Sequence, residues 1–383
     1  LLSVLMSLEI VRVQTKAERE AFLRMPWRLY EHDPAWVPNL LMLQREVFDE
    51  KKTPFFEHGE ARLFVAMKDG RPAGRVTAHV DRLHNEYHNE RTGFFGFFET
   101  EDDAGVACAL LSAASDWVRE RGMERLRGPM NFSVNEEIGT LVEGFDKPPM
   151  IAMTHSLPYY DALIQGAGFA KAMDLFAYRW DIKPPPERIL KAVQSAMDMP
   201  GVTHRNVSMR HLRRDVDILL DIYNDAWKDN WGFVPVTERE AQKLASDLRL
   251  IADPNIGIIV EVDGEPAGMI IGLPNLYECI RDFRGFVNPV NALKLLWRLK
   301  LRKPETGRLM LFGVKRKFLT RAFVGLPYLL LYQLYVGSQK GRYKWGEMSW
   351  VLENNGALNA IMPHWEAFVY KRYRIYEKAL ATP

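Results

Sequence analysis

Alternating apolar and polar positions predict strands in two widely separated parts of the chain. The runs 62–67 and 75–80 flank the dipeptide Asp69-Gly70, and the runs 256–262 and 269–273 flank Asp263-Gly264. Each set is predicted to form a β-hairpin, because Asp-Gly suits the tight turn between two antiparallel strands. Positions 69 and 263 are 194 residues apart, so the pattern indicates that one α/β unit occurs twice.

A second repeated signal lies near the end of each predicted copy. Residues 166–180 match residues 365–376, and the phenylalanines at positions 169 and 368 are 199 residues apart. Two similar offsets at opposite ends of one unit favour a tandem duplication over a chance repeat. A chain of 383 residues is also too long for one hydrophobic core and suits two domains of ordinary size.

The same patterning predicts the other elements and the fold class. In the first copy it predicts strands over 8–13, 92–100, 125–132 and 171–181 and helices over 15–25, 104–122 and 158–167; in the second it predicts helices over 186–197 and 323–336 and strands over 207–211, 347–352 and 368–378. We therefore predict an α/β (α+β) protein with two tandem domains. Each domain is expected to be a mixed, mostly antiparallel, twisted sheet flanked by helices.

The predicted domains are residues 1–182 and 206–383, with a linker and helix at 183–205 and a basic amphipathic insertion at 281–305. Three successive prolines at 184–186 mark the join, because proline cannot continue the interior of a strand or a helix. Hydrophobic residues make up 47% and charged residues 26% of the chain, a balance typical of globular proteins.

Cysteine content and the apolar runs bear on the cellular compartment. Cys108 and Cys279 fall in different copies without metal-ligand spacing, which predicts reduced thiols and no metal site. The apolar stretch 1–8 lacks the basic start and the cleavage site of a secretory signal. The run 323–336 is shorter than the about 20 residues that cross a bilayer. These features predict a cytoplasmic protein.

Several motifs resemble a group of bacterial tandem GNAT proteins, and together they extend over nearly the whole chain. They are residues 82–88, 92–99, 128–139 and 224–237, and the ending that runs from Glu353-Asn354-Asn355 to residues 370–378. The group includes bacterial ceramide synthase-type enzymes, so the resemblance implies two GNAT-like folds and an N-acyltransferase with acyl-CoA as co-substrate. It further implies transfer of a long acyl chain to an amine, with a sphingoid base as acceptor and a ceramide-like amide as product.

In GNAT proteins the CoA pyrophosphate lies at the start of a helix, and the resemblance points to one such loop in each copy. The loop 101–107 carries three carboxylates, so a capped and solvated helix start is favoured there. The loop 314–327 is the better candidate, although it has one glycine where the family has two or three, and a solvated basic face is its alternative. The candidates for cofactor binding are Lys315, Arg316, Arg321 and Gly325, joined by Asn354 and Asn355 where the strand 347–352 stops.

Acyl transfer to an amine also needs a proton acceptor and a proton donor, because the amine loses a proton and the leaving thiolate gains one. The candidate acceptors are Glu99, Glu136 and Glu137, and the resemblance implies Tyr160 as the donor. The candidates for substrate contact are Asn131, Asn135, Asn230, Trp231 and Tyr159. Loop charges, helix caps and core aromatic residues are the alternative roles of these side chains.

The second copy has no tyrosine on the helix that matches the one carrying Tyr160. Either the two copies share one site, or one set of residues is vestigial. We favour an acyl donor held mainly by the second copy, because its loop carries the cations.

The insertion adds an expectation about the membrane. Residues 288–303 interleave leucines and Trp297 with lysines and arginines. A basic amphipathic helix with a tryptophan is typical of an element that lies on a membrane surface. This interpretation predicts peripheral contact with the inner membrane surface; the alternative is a lid packed on its own domain.

Two further functions stay open from the sequence alone. A non-catalytic acyl- or lipid-binding protein would explain the depleted phosphate loops, and some tandem GNAT proteins transfer aminoacyl groups from tRNA. The chain has no Gly-Lys-Ser/Thr phosphate loop and no Gly-x-Ser-x-Gly elbow, which argues against NTPases and α/β-hydrolases. His84 and His88 are interpreted as loop residues rather than zinc ligands. No DNA partner is expected, and the sequence predicts no particular oligomeric state.

Overall fold

The structure, a computed structural model, describes residues 7–381 and divides them into two compact units. Unit 1 comprises residues 7–175, 283–286 and 371–381, and unit 2 comprises residues 176–282 and 287–370. Most of the apolar stretch 1–8 discussed above lies outside the described residues. Within residues 7–381, no helix combines the length and the apolar character needed to cross a bilayer.

The helices and strands follow one another in a mixed order along the chain. The strands are β1 (Leu8–Arg12), β2 (Gly59–Lys68), β3 (Arg71–Asp81), β4 (Thr92–Thr100), β5 (Arg125–Gly128), β6 (Thr140–Glu143), β7 (Ala170–Asp181), β8 (Val202–Asn206), β9 (Gly257–Val262), β10 (Glu265–Pro274), β11 (Thr306–Val314), β12 (Trp345–Leu352) and β13 (Phe368–Ala379). The α-helices are α1 (Lys16–Leu29), α2 (Leu41–Val47), α3 (Arg82–His88), α4 (Ala104–Arg119), α5 (Tyr160–Gly166), α6 (Glu187–Met197), α7 (Leu212–Trp227), α8 (Glu238–Ile251), α9 (Leu276–Ile280), α10 (Pro289–Trp297), α11 (Leu326–Gly341) and α12 (Gly356–Ile361).

Each unit contains a mixed sheet with helices packed on it, as the fold-class prediction states. In unit 1 the strand order is β1-β2-β3-β4-β5-β13, and in unit 2 it is β8-β9-β10-β11-β12. All of these neighbours are antiparallel except β4 with β5 and β11 with β12, which are parallel. The predicted fold class is confirmed.

The repeated Asp-Gly turns join β2 to β3 and β9 to β10. Asp69 and Gly70 have φ angles of 51° and 77°, and Asp263 and Gly264 have φ angles of 51° and 79°. Positive φ at both central residues is the geometry of the tight hairpin turn that Asp-Gly favours. The two copies of the repeat therefore begin with the same local structure.

One predicted strand of the second copy is wrong. The first strand of the second copy is β8, not residues 207–211, and it pairs antiparallel with β9 from Val202 with Val262 to Asn206 with Ile258. The Ser208 hydroxyl instead accepts a hydrogen bond from His211 N–H at 3.3 Å and caps a 3-10 turn. The strand is an edge strand with mostly polar side chains, so the apolar pattern does not mark it.

Two long strands each contribute residues to both units. Residues 170–175 of β7 belong to unit 1 and residues 176–181 to unit 2, whereas β13 gives residues 368–370 to unit 2 and residues 371–379 to unit 1. In unit 1, β13 pairs antiparallel with β5 from Tyr376 with Gly128 to Ala379 with Arg125. The sheet of unit 1 thus includes a strand from the far end of the chain.

The parallel strands of both sheets separate after a short paired stretch. In unit 1, β4 and β5 pair over three positions, ending with Phe94 opposite Arg127. In unit 2, β11 and β12 pair over four positions, ending with Leu309 opposite Met348, although both strands continue beyond that point. In both sheets the first of the two parallel strands, β4 or β11, therefore extends well beyond its pairing with the second.

Candidate active site

A largely buried carboxylate lies on the part of β4 that extends beyond its pairing with β5. The hydroxyl groups of Tyr30 and Tyr160 both donate to Glu99 Oε2, each at 2.7 Å. Glu99 Oε1 is 3.7 Å from Arg75 Nη2, and the Glu99 side chain is 14% exposed. Glu99 and Tyr160, the predicted proton acceptor and proton donor, are therefore in direct contact.

Three elements bring these side chains together. Glu99 precedes the last residue of β4, Tyr160 begins α5, and Tyr30 follows the last residue of α1. The Tyr30 ring stacks on Trp36 with centroids 5.3 Å apart. Arg75 lies on β3 and donates through Nη1 to Phe22 O at 2.9 Å. Contacts outside the cluster thus fix each partner of Glu99.

The surroundings of Glu99 alter its proton affinity. Burial raises the pKa of Glu99, and the Arg75 charge and the two tyrosine hydrogen bonds oppose the rise. Burial and the nearby Glu99 charge raise the pKa of Tyr160 well above its ordinary value, so its hydroxyl stays protonated. A carboxylate with a raised pKa that contacts a protonated tyrosine is suited to accept and pass on a proton.

The segment that follows β5 continues along β4 in unit 1. Met130 N–H donates to Phe95 O at 2.8 Å, and Asn131 Oδ1 accepts from Phe97 N–H at 2.8 Å. Asn131 Nδ2 also donates to Glu137 Oε2 at 3.3 Å. The carboxamide of Asn131 therefore accepts the hydrogen bond of the Phe97 N–H group on β4, beyond the stretch where β4 pairs with β5.

The other predicted residues of unit 1 are Tyr159, Asn135 and Glu136. The Tyr159 hydroxyl donates to Thr100 O at 2.8 Å and is half-buried. Asn135 and Glu136 are exposed in the same segment as Asn131. Of the three candidate carboxylates, Glu99 is thus the one with direct contacts to two tyrosines, and Glu136 is the most open to solvent.

A side chain caps the N-terminus of α4. Asp103 Oδ1 accepts from Gly105 N–H at 2.8 Å and from Val106 N–H at 3.2 Å. Its other oxygen forms an ion pair with Lys68 Nζ at 2.5 Å. A carboxylate therefore occupies the backbone donors to which a phosphate would bind in this loop.

The basic loop of unit 2 carries its own counterions. Lys315 Nζ is 2.5 Å from Asp221, and Arg316 Nη2 is 2.5 Å from Asp229. Arg321 is exposed on a short 3-10 turn, Arg321–Phe323, ahead of α11. It has no ion pair with another residue of the described range 7–381, so among the predicted cations it is the one left for an anionic ligand.

Gly325 has a packing role that the sequence did not reveal. A Cβ atom at this position would lie 2.8 Å from the Cβ of Ala196 on α6. The glycine immediately precedes α11. The close approach of α6 therefore explains the glycine without a ligand.

The asparagines after β12 mainly form hydrogen bonds with backbone groups. Asn354 is exposed, and Asn355 Oδ1 accepts from Leu358 N–H at 3.1 Å, which caps α12. Asn359, which sequence reasoning missed, donates through Nδ2 to Leu352 O at 3.0 Å and accepts from the Tyr178 hydroxyl at 2.9 Å. Asn359 thus satisfies the carbonyl group at the end of β12.

Asn230 and Trp231 are half-buried in the turn after α7. Asn230 O accepts from Phe233 N–H at 3.1 Å. The neighbouring Tyr223 and Trp227 rings meet edge to face at 4.5 Å. The turn is held by backbone and aromatic contacts within unit 2.

Sequence reasoning missed a second buried polar cluster, which lies where β11 and β12 separate. Arg308 Nε donates to Ser349 Oγ at 2.9 Å, and the hydroxyls of Ser349 and Tyr370 donate to Glu347. A pocket in unit 2 is lined in part by Arg308 and Glu347. A charged residue within an apolar strand was the available signal, because it needs a partner when buried.

Two partners of Glu99 were missed as well. Arg75 stands in the apolar strand β3 and could have been found by the same signal, whereas nothing near Tyr30 in the sequence marks it. Within residues 7–381, no group of three or more His, Cys, Asp or Glu side chains could hold a metal ion.

The sequence is similar to known bacterial proteins over nearly its whole length. No family model matches the chain. A bacterial ceramide synthase from Caulobacter vibrioides is 40% identical over 376 residues, which are 97% of this chain and 98% of that protein. Protein YghO from Escherichia coli is 36% identical over 368 residues, 95% of this chain and 94% of that protein.

Solved structures share the fold at low sequence identity. A tandem GNAT protein from the clavulanic acid biosynthesis pathway has a TM-score of 0.57 at 13% identity and covers 97% of this chain and 98% of its own. A GCN5-related N-acetyltransferase from Sphaerobacter thermophilus has a TM-score of 0.54 at 14% identity and covers 97% and 95%.

Proposed function

The chain belongs to the bacterial ceramide synthase group of tandem GNAT N-acyltransferases, and we propose that it transfers a long-chain acyl group from acyl-CoA to the amine of a sphingoid base. The product would be a ceramide-like amide. The contact of Tyr160 with Glu99 at 2.7 Å carries the proposal, because it joins a proton acceptor to a proton donor in one unit.

In the proposed reaction the nitrogen of the free amine attacks the thioester carbonyl carbon. A C–N bond forms, the C–S bond breaks, and the proton of the nitrogen passes to Glu99. The hydroxyl proton of Tyr160 passes to the leaving thiolate, and Glu99 then returns a proton to Tyr160 along their hydrogen bond. One amide and one CoA thiol result, and Glu99 and Tyr160 end in their starting protonation states.

We further propose that unit 2 holds the pyrophosphate of acyl-CoA. Arg321 is exposed ahead of the start of α11, where backbone N–H groups favour an anion. Lys315 and Arg316 already have aspartate partners, so Arg321 supplies most of the available positive charge. Unit 1 offers no equivalent position because Asp103 occupies the start of α4.

The sphingoid-base acceptor is proposed because of the name of a relative, and not because of a pocket in the structure. The Caulobacter relative is named a ceramide synthase and matches this chain along nearly its whole length. A sphingoid base is a lipid amine, so we place the enzyme in the cytoplasm at the inner membrane surface. Free sphingoid bases partition into membranes because of their long apolar chain.

The test measures the release of free thiol and the formation of the amide product. The purified protein is incubated with acyl-CoAs of increasing chain length and with sphingoid bases or short water-soluble amines. We expect thiol release that depends on the amine. Glu99→Gln and Tyr160→Phe are each expected to lower kcat by about 10²- to 10⁴-fold, the usual contribution of a positioned acid or base.

Glu120→Gln serves as the matched control, because Glu120 is exposed at the end of α4. It should keep the wild-type rate. Absence of thiol release with every acyl-CoA would contradict the proposal, as would transfer from aminoacyl-tRNA in its place. Full activity of Glu99→Gln would remove Glu99 from the mechanism without affecting the choice of donor.

A further inference from the structure

An apolar stripe on α10 faces solvent. Val290, Leu293 and Trp297 are 60%, 68% and 51% exposed, and Leu301 in the π-helical turn Arg298–Arg302 is 74% exposed. Their spacing places them along one side of the helical segment. No residue of α10 is buried. The amphipathic pattern therefore does not serve the core of unit 2.

The opposite side of the segment attaches it to unit 2. Arg298 Nη1 donates to Cys279 O at 2.6 Å, and Arg298 Nη2 donates to Asp282 Oδ2 at 3.0 Å. Leu295 and Leu299 are half-buried. Because this side is fixed to the protein, the stripe of Val290, Leu293 and Trp297 is held outward.

Basic side chains flank the stripe. Residues 287–303 contain five lysines and arginines and no aspartate or glutamate. Lys294 and Lys300 are exposed beside the apolar residues, and Arg302 and Lys303 follow at the end of the segment. The segment therefore has a formal charge of +5, whereas the whole chain has a formal net charge of +2.

We propose that residues 289–303 dock on the surface of an anionic lipid bilayer. The apolar stripe would enter the boundary between headgroups and acyl chains, and the exposed Lys300, Arg302 and Lys303 would contact anionic headgroups. A lid closed on its own domain would bury the stripe, which is more than half exposed. In a symmetric dimer through this face, the basic residues of two copies would meet and repel. The inference does not depend on the identity of the acyl acceptor.

The experiment is vesicle co-sedimentation of the full chain. Vesicles of phosphatidylcholine with phosphatidylglycerol are compared with vesicles of phosphatidylcholine alone. We expect at least tenfold tighter binding to the anionic vesicles, and we expect 0.5 M NaCl to weaken it. Leu293→Ser with Trp297→Ser, and separately Lys300→Glu, should each weaken binding to anionic vesicles at least tenfold.

Matched controls come from α8 in the same unit. Leu250 is 79% exposed, and Arg249 beside it is exposed. Leu250→Ser and Arg249→Glu should bind as the wild type does. Turnover of a short acyl-CoA with a water-soluble amine should be unchanged in the α10 variants, which separates a failure of docking from a failure of catalysis.

Three outcomes would overturn the inference. The first is equal binding of the wild type and the Lys300→Glu variant. The second is binding to neutral vesicles as tight as to anionic ones. The third is a wild-type dimer that the Leu293→Ser and Trp297→Ser changes dissociate without any vesicle binding, which would assign the face to a second copy.

Discussion

His79 shows how a single buried residue links the fold of unit 1 to pH. The side chain lies on β3 with no exposed surface, stacked on Phe94 and edge to face with Phe132. Burial lowers the pKa of His79 to about 3, against the opposing charge of Asp81. The imidazole is therefore neutral in the folded protein well below the pH at which a free histidine gains a proton.

This shift predicts acid destabilisation of unit 1. Below pH 6.5 the unfolded chain binds a proton at His79 while the folded chain does not, so the free energy of unfolding falls as the pH falls towards 3. Between pH 7 and pH 5 the loss from this group is on the order of 2 kcal/mol. His79→Phe should remove that part of the pH dependence, measured by urea unfolding with hydrogen exchange of the β3 amides.

The exposed His32 provides the control for this prediction. His32→Phe should leave the pH dependence unchanged. A His79→Phe variant that loses as much stability between pH 7 and pH 5 as the wild type would show that another group is responsible.

At the same scale, the structure brings Glu99 and Tyr160 into contact, and the sequence proposes both, Glu99 from its place at the end of a predicted strand and Tyr160 through the family resemblance. It could not identify Tyr30, whose role depends on the packing of α1 against β4. The sequence also proposes Glu136, which is exposed, since nothing in the local sequence distinguishes an exposed carboxylate from a buried one. Local patterns locate element ends, but burial and contact depend on the rest of the unit.

The starts of α4 and α11 differ at the scale of the element, although the two helices occupy corresponding positions in the repeat. Asp103 accepts two backbone N–H groups at the start of α4. The start of α11 has Gly325 and no side-chain cap. The helix that lacks a cap follows the loop with Arg321, which is the more suitable anion site.

Removing the α4 cap should therefore affect stability and not cofactor binding. Asp103→Ala is expected to lower the free energy of unfolding by about 1 kcal/mol, the usual cost of losing an N-cap. The KM for acyl-CoA should stay within twofold of wild type. Asp102→Ala is the control, because Asp102 is exposed next to the cap. A large rise in KM with Asp103→Ala would instead assign the acyl donor to unit 1.

Elements with strong periodicity or a specific turn were predicted well. The Asp-Gly hairpins and the helix α11 agree with the structure. The polar edge strand β8 was not predicted at its true position, because its pairing with β9 rather than an apolar face defines it. The strand predicted over 125–132 is shorter, since β5 ends at Gly128.

At the scale of the whole molecule, the end of the chain contributes to the first unit. Tyr376 on β13 is fully buried, and its hydroxyl donates to Asp161 Oδ1 at 2.6 Å. It lies opposite Gly128 of β5. Such a pairing between distant segments leaves no trace in local sequence, so the boundaries predicted at 182 and 206 rest on sequence order alone.

A change near the C-terminus should therefore destabilise the sheet of unit 1. Tyr376→Ala is expected to lower the free energy of unfolding by about 3 to 5 kcal/mol, as for other buried aromatic residues. Hydrogen exchange of the β5 amides should report the loss. Phe368→Ala, at the exposed start of the same strand, should have an effect below about 0.5 kcal/mol. Unchanged protection of β5 in Tyr376→Ala would contradict the assignment of residues 371–379 to unit 1.

Because β13 is translated long after the other strands of unit 1, the sheet of this unit cannot be completed until late in synthesis. Residues 175 and 371 are 196 positions apart in the chain, and a ribosome needs about 10 to 40 s to translate that distance at about 5 to 20 residues per second. During this interval the nascent chain has an unfinished sheet whose free edge at β5 awaits its partner. Growing polypeptides of this protein should consequently depend on chaperones until residues 371–379 have been translated.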